Sequence, residues 1–157
     1  MTGCTESGLA LLQRELDETI EKLLPAVESL MQALASNEGV ECESEDDGHA
    51  FTVPLRFPDG ICTGMVVAKV FRYRERVRLD IEIAHNRVFA GTDGRHSDRR
   101  CFMNDFVAST SFAPGTEEVP NDFRRYVVSG VLAARDAVQR HNRQQTAPWN
   151  RVSVASR

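Results

Sequence analysis

The chain has 157 residues, 41% hydrophobic and 27% charged, with a net charge of −4. These values fit one globular domain that can bury its own core, and they exclude wholesale disorder. No segment approaches the ~20 apolar residues needed to span a bilayer.

Met1-Thr2-Gly3-Cys4 carries neither the basic region nor the apolar run of a secretory signal. Cys4, Cys42, Cys62 and Cys101 form no C-x-x-C pair. A cytoplasmic protein with reduced thiols is therefore expected.

Residues 5–36 read as an amphipathic helix. Leu9, Leu12, Leu16, Ile20, Leu23, Val27, Leu30 and Leu34 recur at steps of three and four and form one stripe. Pro25 predicts a kink or a restart, and Gly39 a stop. The run from Glu41 to Gly48 reads as an acidic turn. Phe51, Val53, Leu55 and Phe57 then alternate with polar residues, which predicts a strand. Pro54 places that strand at a sheet edge. Pro58-Asp59-Gly60 predicts a hairpin turn.

From Ile61 to Phe71 both alternating sets are apolar, as in a central strand covered on both faces. Tyr73 to Arg76 makes the next turn. Val77, Leu79, Ile81 and Ile83 alternate with Arg78, Asp80 and Glu82 in a half-exposed strand. Residues 91–100 predict a polar loop. Phe102, Asn104, Phe106, Ala108 and Thr110 mark a fourth strand that ends at Pro114-Gly115.

A second helix is expected over 120–142, with Phe123, Val127, Val131, Ala134 and Val138 on its apolar stripe. Gly130 interrupts that helix at a cost of about 1 kcal/mol, which points to a close packing neighbour. The fold class is thus α+β: about four antiparallel strands between an N-terminal and a C-terminal helix, both packed on the sheet. One domain is expected over 1–143, with a loose tail over 144–157.

The search for chemistry yields little. His96, Asp98 and Cys101 share one loop, but they lack a fourth ligand and metal-site spacing, so neither a metal nor another cofactor is expected. No nucleophile signature is present. An enzyme or ligand-binding reading would rest on residues 85–101, with His85, His96 and Cys101 as candidates.

Charge is distributed unevenly. Residues 1–60 carry 13 acidic and 3 basic side chains, a balance of −10, and the remainder carries +6. Arginine outnumbers lysine 17 to 2, and Arg72, Arg74, Arg76 and Arg78 gather around one hairpin. Arginine forks suit phosphates and bases, so a nucleic-acid reading of residues 72–78 stands as a further alternative.

Protein binding absorbs more of the features. Leu16, Leu23 and Val27 belong to a stripe that suits a sheet or a partner helix. Met65, Val67 and Phe71 need cover if both helices occupy one face of the sheet, and a homodimer supplies it most simply. Trp149, after Ala147-Pro148, is a further docking candidate.

Over residues 5–142 the order of amphipathic helix, antiparallel sheet and closing helix resembles the small acidic chaperones of type III secretion and the related YbjN-type bacterial proteins. The resemblance implies a dimer that binds other proteins. The helix those families carry between their third and fourth strands is not evident between His85 and Phe102. The expected function is a non-enzymatic, chaperone- or adaptor-like protein-binding module that acts as a homodimer.

Overall fold

The computed structural model of the chain describes residues 7–35, 40–45, 47–57, 63–89 and 99–146. Helix α1 (Gly8–Leu34) is capped by Ser7, whose hydroxyl accepts from the Ala10 N–H at 3.1 Å. Leu16, Ile20, Leu23, Val27 and Leu30 form its buried stripe. Pro25 does not divide the helix, which runs unbroken past it. Pro25 lies on the exposed side, where solvent can serve the carbonyl left without a donor.

Five strands follow: β1 (Glu41–Glu45), β2 (Gly48–Arg56), β3 (Thr63–Tyr73), β4 (Arg76–Phe89) and β5 (Arg99–Phe112). They form an antiparallel meander in the order β1-β2-β3-β4-β5, with β3 in the middle. The acidic stretch read as a turn is a strand, paired from Glu41↔Thr52 to Glu45↔Gly48. All five of its side chains are exposed, so it carries no apolar alternation to betray it.

β2 is consequently not an edge strand, although its stretch around Pro54 is locally an edge. β1 reaches only as far as Thr52, and Pro54 lies beyond it, paired on the other side with Met65. The expected turn at 58–60 and most of the expected loop at 91–100 lie outside the described residues. Helix α2 (Asn121–Thr146) closes the fold and runs three residues beyond the expected start of the tail.

Both helices lie on one face of the sheet, α1 across β2 and β3, α2 across β4 and β5. Their stripes meet Phe51, Val53, Leu55, Val66, Ala68, Val70, Val77, Leu79, Ile81 and Ile83 in a single core. Gly115 N–H donates to Thr19 Oγ1 at 2.9 Å, tying the β5–α2 connection to α1. The close neighbour inferred at Gly130 is Val107: a Cβ at position 130 would lie 2.9 Å from its Cγ1.

Val107 is the extra residue of a β-bulge opposite Ile81/Glu82. The bulge reverses the phase of β5. Ala108 points into the core and is buried, while Phe106 points away and is 59% exposed. Without that insertion, strict alternation would put Phe106 and Ala108 on one face.

Candidate protein-binding face

Because both helices lie on one side, alternation along the strands delivers a second, outer set of side chains to the opposite face. On β3 these are Met65, Val67, Lys69, Phe71 and Tyr73, and on β4 Arg76, Arg78, Asp80 and Glu82. Met65, Tyr73 and Phe106 are substantially exposed, and Val67 and Phe71 are half-buried. The described part of residues 86–116 extends the sheet as β4 and β5 and does not fold across this face.

The face is polarised across its width. At one margin, alternation from the buried Phe51 sets Glu41, Glu43 and Glu45 outward, opposite Thr52, Ala50 and Gly48. Cys42, between them, points towards α1. Partial burial there, followed by the charges of Glu28 and Glu43, pushes its thiol above the ordinary range.

Towards the other margin the β3–β4 hairpin carries the arginines. Arg74 occupies the first turn position with φ 58°, a left-handed conformation costing a side-chain-bearing residue about 1 kcal/mol. Its guanidinium lies 5.3 Å from the Tyr73 ring centroid, and that of Arg78 5.2 Å. Both are cation–π contacts, and Tyr73 meets Phe71 edge-on at 6.4 Å.

Arg76 Nε donates to Ser111 Oγ at 3.0 Å, which draws its charge over β5. Arg78 Nε donates to Asp80 Oδ1 at 2.7 Å, and Ser109 Oγ donates to the same oxygen at 2.6 Å. The Asp80 carboxylate further stabilises the Arg78 charge, raising its pKa. Tyr73, Arg74, Arg76, Arg78 and the serines of β5 line an open notch of about 870 Å³, and Glu75 adds one carboxylate to it. Arg72, counted with these arginines in the sequence, faces the other side and pairs with Asp17 of α1 at 3.4 Å.

The candidates singled out in the sequence fall into separate places. Leu16, Leu23 and Val27 are enclosed in the chain's own core, so these three positions of the α1 stripe serve the sheet, while Leu9 at its start is exposed. Met65, Val67 and Phe71 lie together on the outer face. Phe106 and Tyr73 join them there, Phe106 by way of a bulge that leaves no mark in the sequence pattern. Trp149 and His96 lie outside the described residues, as does the side chain of Cys101.

His85 is fully enclosed, and its Nε2 lies 2.8 Å from Asp105 Oδ2, a diagonal neighbour on β5. Its Nδ1 has no hydrogen-bond partner among the described residues. No group of three or more potential metal ligands occurs among the described residues. Among them, too, no helix is long and apolar enough to cross a membrane. Compared with protein-family models and with curated proteins, the sequence finds no match.

Proposed function

We propose that this chain is a non-enzymatic, chaperone- or adaptor-like protein-binding module that works as a homodimer through the outer face of its sheet. One observation carries the reading: neither helix covers that face, and its middle strand presents Met65, Val67 and Phe71 there, with Tyr73 and Phe106 close by. Exposed apolar side chains gathered on one uncovered face of a domain that already has a core are a usual mark of an interaction surface. The enclosure of His85, at 0% exposure, weighs against the enzyme or ligand-binding alternative that rests on it.

Sedimentation equilibrium on the wild type and on Val67→Asp tests the proposal. The wild type is expected to be dimeric at micromolar concentration. Val67→Asp sets a carboxylate into the middle of the interface and is expected to yield a folded monomer with an unchanged far-UV spectrum. A wild type that stays monomeric at hundreds of micromolar overturns the reading.

A further inference from the structure

We infer that the arginine-lined notch is filled by strand β1 of a second copy of the chain, in a face-to-face dimer whose two-fold axis runs along β3. The inference rests on the homodimer reading and specifies its geometry. Two limiting directions of a two-fold axis between facing sheets keep the strands of the two copies aligned. An axis across the strands keeps each strand over its own copy and sets Glu41, Glu43 and Glu45 against the same glutamates of the partner. An axis along the strands reverses the lateral order and lays β1 over β5.

The register supports the second arrangement. Row by row the outer face reads Glu45, Gly48, Phe71, Arg78, Ser111, and one step on Glu43, Ala50, Lys69, Asp80, Ser109. Reversal about β3 brings Glu45 of one copy over Ser111 of the other, where the Arg76 guanidinium lies. Glu43 falls over Ser109, whose hydroxyl donates to the same Asp80 carboxylate that pairs with Arg78. Met65, Val67 and Phe71 meet their own copies along the axis, which suits an isologous apolar centre.

Within one chain these groups cannot meet. Four strand spacings of ~4.8 Å separate β1 from β5, about 19 Å. The size also fits. Five strands at that spacing and the 11 residues of β3 at ~3.3 Å each span roughly 850 Å², close to the ~800 Å² that one partner gives a standard interface. The arrangement carries internal costs: Glu43 comes near Asp80, and in the next row Glu41 falls over Phe106 and Thr52 over Glu82. Lys69 falls on the axis opposite Lys69 of the other copy, and each lysine is offset by Asp80 beside it in register on its own chain.

The test is native mass spectrometry of two charge-reversed chains, Glu43→Lys/Glu45→Lys and Arg74→Glu/Arg76→Glu, alone and mixed. All four positions are exposed, and circular dichroism checks that each chain is folded. Alone, each variant sets like charges together twice and is expected to dimerise about 10- to 100-fold more weakly than wild type. Mixed, the two chains regain complementarity at both contacts and are expected to form the heterodimer in preference to either homodimer. Lys69→Met is expected to tighten the wild-type dimer.

Two variants that homodimerise as well as wild type and show no preference for each other overturn the inference and leave the homodimer reading standing. A monomeric wild type removes both. A single-stranded oligonucleotide that binds the wild type at low salt, loses binding in Arg74→Glu/Arg76→Glu and leaves the dimer intact would assign the notch to nucleic acid and overturn the inference.

Discussion

Replacing Asp105 with leucine should destabilise the fold more than replacing His85 with leucine, although both substitutions break the same contact. His85 is 0% exposed and Asp105 34% exposed. With Asp105→Leu, the imidazole stays buried and loses its Nε2 partner, while Nδ1 already has none among the described residues. An orphaned buried donor or acceptor costs about 1–3 kcal/mol. A middle value of about 2 kcal/mol corresponds to a fall of about 4–8 °C in Tm for a chain of this size.

With His85→Leu, Asp105 keeps access to water, and leucine of similar volume fills the space, so the expected cost stays below about 1.5 kcal/mol. The double variant removes the orphaned ring and should be more stable than Asp105→Leu alone. Urea unfolding followed by far-UV circular dichroism measures all three, read from midpoints at constant m-value. If His85→Leu proves the costlier single change, or the double variant costs the sum of the two, the ring is not held in the way described.

Gly130→Ala should change sign with its background. In the wild type the new Cβ meets Val107 Cγ1 at 2.9 Å and destabilises the fold; with Val107→Ala the contact is gone, and the gain in helix propensity of about 1 kcal/mol should emerge in thermal unfolding. Alkylation of Cys42 at pH 8, followed peptide by peptide in a mass spectrometer, should be slower in the folded chain than in the unfolded one. Its thiol is pushed up, so the reactive thiolate fraction is smaller until pH passes the raised value. Glu43→Gln should speed it.

The helices and the two middle strands were legible because each buries one periodic set of side chains. The stripe from Leu16 to Leu30 and the alternation from Val77 to Ile83 are direct records of what faces the core. β1 was not legible, because a strand exposed at all five positions has no apolar period and its glutamates imitate a turn. β5 was legible in place but not in phase, since inserting Val107 moves Phe106 to the opposite face without altering composition.

Met65, Val67 and Phe71 could be named as surface candidates from the double apolar pattern of β3. The arginine cluster was visible as well. Its floor of Ser109 and Ser111 was not, because that contact spans 35 residues of sequence between Arg76 and Ser111. The pairing of His85 with Asp105 was hidden for the same reason, with 20 residues and a bulge between them.

The meander has a kinetic consequence. Every strand pairs with its neighbour in sequence, so the sheet can zip from short loops and carries little of the closure entropy that slows non-local β-folds. The helices are different. Thr19 is bonded to Gly115 and Ser29 to Arg124, each pair joined across more than ninety residues. The docking of the two ends of the chain over the sheet is therefore the step with the largest loop to close. Until α2 leaves the ribosome, the half of the sheet around β4 and β5 is open on both faces. During that interval the growing chain is most exposed to association with unfinished copies of itself.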